Sequence, residues 1–271
     1  MKSEIVSLLL LTIVRNSQGF APQTSTKCSS KHCTSQHDTK LRMNFISDMG
    51  DMLTGGALQE EKNLPYSPPL CDVNSISDQV RTFAIQERAI SFTGEDFDVF
   101  DATSGRPFAR IRGAMLHLPG KDKLKIRSVD SCDEEVAVLD RKLVSLLTTY
   151  EIFRGGNGAE KIGWMEKEAV ALTDTFDVYM QGKGGIGPFK PPPAYKISGD
   201  FLDRRFTMKN QEGQVVAKVT KDGLIQFDAF NHYQVQVAPG MDAMLVLSCA
   251  CAIDEEFDEE HKEKRKKEAE E

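Results

Sequence analysis

The chain has 271 residues, of which 40% are hydrophobic and 28% charged, the balance of a globular protein able to bury one or two cores. Its formal charge of −7 at pH 7 excludes wholesale binding of nucleic acid or another polyanion, because that mode needs a basic field over much of the surface. Any anion site has to be local.

Residues 1–19 read as a cleavable signal peptide: Lys2 precedes an apolar core over residues 5–14, and the small or polar Asn16, Ser17, Gln18 and Gly19 follow. Glu4 departs from that pattern. Residues 20–46 carry Lys27, Lys31, Lys40 and Arg42, many Ser and Thr, and Asp38 as the sole acid, the composition of an organelle transit peptide. The junction of Gly19, Phe20, Ala21 and Pro22 resembles the bipartite plastid presequences of diatoms and related algae. It implies delivery to a plastid through the secretory route, with plain secretion as the alternative.

Residues 47–79 contain Gly55, Gly56, Pro65, Pro68 and Pro69 and are expected to form a linker or a loosely packed arm. The folded domain is placed at residues 80–256. Within it, three pairs of β-like runs flank Gly-containing turns: residues 97–100 with 108–111 around Gly105, 149–153 with 160–165 around Gly155, Gly156 and Gly158, and 205–208 with 215–219 around Gly213. Each is a hairpin signal. Short strands at nearly regular spacing, with no long amphipathic helix among them, predict an antiparallel sheet, and barrel closure would remove its edges. Gly182, Gly184, Gly185, Gly187 and Pro188, with Pro191, Pro192 and Pro193, interrupt the series. They lack phosphate-loop spacing and a following helix, so they read as a plain connection.

A last strand, residues 233–237, stops at Pro239 and Gly240, and residues 241–253 follow with Asp242 and Ser248 as the only polar side chains. The helix this implies has no wet face. It must be enclosed by protein or lipid, and it is well short of the roughly 20 residues a lipid span needs. A closed sheet around a short helix answers this, with Asp242 at the N-terminus where the helix dipole favours negative charge. Residues 257–271 form a charged tail, expected as a solvated helix or a disordered segment. Cys28 and Cys33 fall in the presequence and Cys71 in the linker, while Cys132, Cys249 and Cys251 lack ligand-like partners. Cys249 and Cys251, two apart on a helix, point to different faces and are read as small core residues.

Asp228, Phe230, Asn231, His232 and Tyr233, then Val235, Val237, Pro239, Gly240, Asp242, the apolar helix, Ile253 and Asp254, resemble the closing motif of the LURP-one-related proteins. These share a fold with tubby C-terminal domains and phospholipid scramblases. Phe97, Val99, Asp101 and Gly105 are similar to that family's early hairpin. The likeness covers about residues 85–256 and implies a mainly β fold: a closed antiparallel β-barrel of about 12 strands around a central hydrophobic C-terminal α-helix. It also implies lipid-related functions, since tubby domains bind phosphoinositides through basic side chains and scramblase relatives have been assigned lipid translocation and calcium binding. No Asp-x-Asp-x-Asp-Gly calcium loop occurs here, so calcium dependence is not carried over.

The best local constellation is Lys121, Lys123, Lys125 and Arg127. On a strand these share one face at about 7 Å intervals while Leu124 and Ile126 point to the other. Arg110 and Arg112 alternate in the same way one strand earlier. Such a ridge suits anionic lipid headgroups, four cations contributing about 4 kcal/mol, enough for reversible docking; the other reading is an ordinary solvated outer face kept charged against edge pairing. For catalysis there is no nucleophile elbow, paired metal-ligand His or dinucleotide glycine pattern. His117 and His232 are the only His between presequence and tail, and Trp164 reads as core or barrel rim. The expectation is a non-enzymatic module for anionic lipid or a membrane surface, with no catalytic residue, cofactor or metal and no nucleic-acid partner. Scramblase-like translocation and a soluble scaffold recruiting a protein through its tail are the alternatives.

Overall fold

The computed structural model describes residues 56–71, 74–88, 96–115, 122–129, 133–142, 145–168, 175–181, 190–221 and 232–270. The presequence, the Gly/Pro loop at 182–189, residues 228–231, Lys121, His117 and Cys132 lie outside them. Among the described residues, twelve strands, β1 (Arg81–Glu87), β2 (Asp96–Asp101), β3 (Pro107–Met115), β4 (Asp122–Ser128), β5 (Glu134–Arg141), β6 (Thr149–Arg154), β7 (Glu160–Lys167), β8 (Thr175–Met180), β9 (Tyr195–Asp200), β10 (Arg205–Asn210), β11 (Val215–Thr220) and β12 (His232–Val237), precede one α-helix, α1 (Ala243–Glu270). Each strand lies antiparallel beside its sequence neighbours, and β1 pairs with β12, Arg81 opposite Val237 and Ile85 opposite Tyr233, to close the barrel. No strand is left with an open row of backbone donors and acceptors. The three hairpins marked by turn glycines form as β2–β3, β6–β7 and β10–β11.

A barrel of about eight strands is filled by its own side chains, whereas a wider one leaves a lumen. Here the lumen holds the first half of α1. Met244, Leu245, Leu247, Cys251, Ala252 and Ile253 are fully buried among inward-facing Phe83, Ile85, Ile111, Ile126, Leu139, Ile152, Phe176 and Val235. Cys249 and Cys251 are both buried although they face different sides, as expected of a helix surrounded all round. Ser248, a polar residue in this stretch, donates its hydroxyl to the Met244 carbonyl at 2.6 Å, so its burial leaves no open donor. The core extends to Phe257, which packs on Phe201 (5.2 Å between ring centroids) and Phe176 (6.4 Å); beyond it the backbone stays helical to Glu270. No helix among the described residues is long and apolar enough to cross a membrane.

The stretch expected as a linker or loose arm is, over its described residues 56–71 and 74–80, a strap packed on the barrel end where α1 begins. Tyr66, Leu70 and Cys71 are buried. Gln59 N–H donates to the Val215 carbonyl (2.8 Å), Glu61 N–H to the Pro239 carbonyl (2.8 Å), and Gly240 N–H to the Ser77 carbonyl (2.8 Å). Proline and glycine suppress any periodicity here, so the buried side chains leave no pattern in the sequence. Gly240 has φ +76, and a Cβ there would lie 2.0 Å from the Glu61 carbonyl oxygen. Both facts require glycine.

Asp242 ties strap to helix. Its Oδ1 accepts from Met244 N–H (3.0 Å) and Leu245 N–H (3.4 Å) as an N-cap and from the Ser75 hydroxyl; its Oδ2 accepts from the Tyr66 hydroxyl (2.7 Å) and Leu70 N–H (2.8 Å). A fully buried carboxylate is tolerated because every lone-pair direction meets a donor. Asp242→Ala strands those donors in the interior. We expect it to lower the free energy of unfolding in urea by about 3 kcal/mol or more, and to make the strap a site of limited proteolysis under conditions where the wild-type strap resists; equal stability and equal proteolysis would contradict the tie.

Candidate functional site

β3 and β4 place their cations on the outer face because alternate residues, Ile111, Leu124 and Ile126, are drawn into the core. Their register sets Arg110 opposite Arg127 and Arg112 opposite Lys125. Like charges facing each other across a pair of strands destabilise it, and the neighbouring strands supply the remedy. From β2, Asp98 binds Arg112 at 2.7 Å and also takes Arg88 at 2.6 Å, with Asp96 3.9 Å from Arg112. From β5, Asp140 binds Lys123 at 2.7 Å and Glu135 binds Lys125 at 3.2 Å. Burial pushes the Asp98 carboxyl up, but the hydrogen bonds and charges of Arg88 and Arg112 hold it below its ordinary value.

The face read as a basic ridge is thus a mosaic of paired charges over its described part, and Lys121 lies outside that part. Arg110 and Arg127 are the exception. Both approach the single carboxylate of Asp133, at 3.2 and 3.7 Å, and their side chains are 42% and 44% exposed. Two guanidiniums on one acid leave one positive charge over. Reading cations alone along β3 and β4 misses this arrangement; its signal was the matching alternation of Asp96 and Asp98 on β2.

A second cluster surrounds α1 where it leaves the barrel. Arg204, in the β9–β10 turn at φ 52, donates Nε–H to Asp254, lies 3.8 Å from Glu87 and sits over the Tyr233 ring at 5.4 Å. Glu256 takes Arg141 at 2.9 Å, the Thr148 hydroxyl at 2.6 Å and the Tyr150 hydroxyl at 3.4 Å. These contacts fix the exit of α1. None of them was read from the sequence, because each joins residues far apart along the chain. Among the described residues no group of three His, Cys, Asp or Glu is arranged to hold a metal ion. The side chain of His232 lies outside the described set. Trp164, expected in the core or at the rim, is half-buried on the outer face of β7, stacked on Tyr179 at 4.8 Å, because its neighbours Gly163 and Met165 take the inward positions.

Burial pushes the Asp254 carboxyl up to about 7 from 3.8; Arg204 counters this, and Asp258 and Glu87 add to it. In the folded chain this carboxyl keeps its proton to about pH 7, in the unfolded chain only to about pH 4. Its contribution to stability is therefore complete below pH 4, declines between about pH 4 and 7, and is absent above. Denaturation of wild type and Asp254→Asn across that range tests this. The wild type should lose stability relative to the variant by up to about 1.4 kcal/mol per pH unit, and a constant difference would refute the assignment.

A family model described as LURP-one-related matches residues 81–254. Among solved structures, the X-ray structure of a protein from Arabidopsis thaliana superposes with a TM-score of 0.50 at 16% sequence identity, covering 69% of this chain and 96% of that one. At that identity the likeness is one of fold. No curated protein matches. The family match takes in all twelve strands and α1 up to Asp254, and the chain belongs to the LURP-one-related family.

Proposed function

We propose that the protein is a non-enzymatic module that docks reversibly on anionic lipid surfaces through the outer face of β3 and β4. The observation that carries this reading is the Arg110 and Arg127 pair, two exposed guanidiniums sharing the Asp133 carboxylate. The family and its barrel fold are compatible with lipid binding. Lys123 and Arg112 are held in 2.7 Å pairs with acids, so they have to give up one partner to gain another. The free contribution falls from the four charges counted along the strand to one or two, each about 1 kcal/mol near a charged membrane. Docking of that strength is weak, multivalent and sensitive to salt. The translocation reading uses the apolar helix as a membrane insert and gains no support from a helix enclosed by strands. In the plastid expected from the presequence, the anionic lipids on offer are phosphatidylglycerol and sulfolipid.

Flotation with vesicles of phosphatidylcholine and increasing phosphatidylglycerol tests the proposal. Binding should rise with the anionic fraction and disappear in high salt. Arg110→Gln with Arg127→Gln should abolish it, while Asp133→Asn, which removes the shared acid and suits the left-handed backbone at φ 61, should strengthen it. Unchanged flotation in both variants would overturn the assignment of this face.

A further inference from the structure

A cleft of about 540 Å³ runs between the strap and the outer side of β6 and β7, within the size range of small-molecule sites. Leu64, Pro65 and Tyr66 of the strap and Ile162 of β7 give it an apolar side, and Arg154 and Lys161 a cationic one. Arg154 is held in place but not saturated. One terminal nitrogen donates to Glu160 at 3.0 Å and the other to the Pro68 carbonyl, while its Nε–H is buried without a hydrogen-bond partner. Lys161 lies 2.5 Å from Glu151, which also serves Lys142 at 2.9 Å. Three cations thus meet two acids, Glu151 and Glu160, in a chain whose overall charge is −7.

We infer that this cleft binds a single-chain amphiphile with a carboxylate head, of the fatty-acid class. The head sits on Arg154 and the chain lies along Leu64, Pro65, Tyr66 and Ile162. Glu160 marks the head position. Its side chain is 63% exposed, so it is displaced at little cost, and an incoming carboxylate can take over its charge-assisted bond to the terminal nitrogen of Arg154. Selectivity follows from needing both sides of the cleft. A headgroup without a chain gains no burial, and a chain without a charge leaves Arg154 with Glu160. The site goes beyond the membrane-face reading and does not depend on it.

Trp164 is the only tryptophan of the chain, and Lys161 lies 6.0 Å from its ring, so intrinsic fluorescence reports on the cleft. Laurate, titrated into the protein below its micelle concentration, should change Trp164 emission saturably. Butyrate and dodecanol should each bind at least roughly tenfold more weakly. Arg154→Gln should weaken laurate binding by roughly tenfold, and Glu160→Gln, an exposed change that leaves the fold alone, should strengthen it severalfold by freeing Arg154. The Arg110→Gln, Arg127→Gln variant should bind laurate as the wild type does, and Glu160→Gln should float with vesicles as the wild type does, so either proposal can fail without the other. No saturable response to laurate, butyrate binding as tightly as laurate, or equal laurate affinity in wild type and Glu160→Gln would overturn the inference.

Discussion

An α-helix without a polar side can persist only where something else covers its whole circumference, and that requirement organises this protein. Twelve strands are more than side chains alone can fill, so barrel and helix are each incomplete without the other. The helix supplies the volume that keeps the barrel from being hollow, and the barrel removes the helix from water. The polar groups that this burial threatens are met locally. Ser248 turns back on the Met244 carbonyl, and Asp242 gathers the first free N–H groups of α1 together with two hydroxyls and a backbone donor of the strap. The carboxylate is both cap and anchor, so the start of the helix and the closure of the barrel end are one event.

The opposite end is built differently. There α1 leaves the barrel through a ring of polar side-chain contacts, Arg204 with Asp254 and Arg141 with Glu256, with Phe257 closing the apolar interior against Phe201. One end is sealed by a carboxylate with all its donors in place, the other by charges whose burial is only partly compensated. That asymmetry puts the carboxyl that burial pushes up, Asp254, at the exit, where the helix passes from core to solvent. On the outside of the barrel the same economy of charge holds. Cations opposite each other on β3 and β4 are bridged by acids from β2 and β5, so among the described residues of this face few charges are left to meet a ligand, and these few stand out.

The barrel and its central helix were legible because both rest on patterns that repeat locally: alternation along strands, glycine at turns, and a run of apolar residues with no polar side. β8 was not legible, since all but one of its side chains are buried and alternation vanishes. β9 carries Gly199 and Asp200, which weaken a strand signal. The strap was misread as a loose arm because its order comes from partners distant in sequence, Tyr66 and Ser75 reaching Asp242. The candidate site was half legible. The alternation that puts Lys123, Lys125 and Arg127 outside is a property of one strand, whereas the acids that neutralise them come from others, and register between strands is not written in either one alone. Arg154 and its cleft gave no signal, because the strap that forms the other wall was itself unread.

Native-state amide hydrogen exchange along α1 tests most directly whether enclosure of the helix holds the fold together. If the helix is the core of the barrel, amides over residues 244–253 exchange only through global unfolding, together with those of β1 and β12, while those beyond Phe257 exchange much faster. Exchange of residues 244–253 ahead of the strands would show a helix that leaves an intact barrel, and would contradict the account.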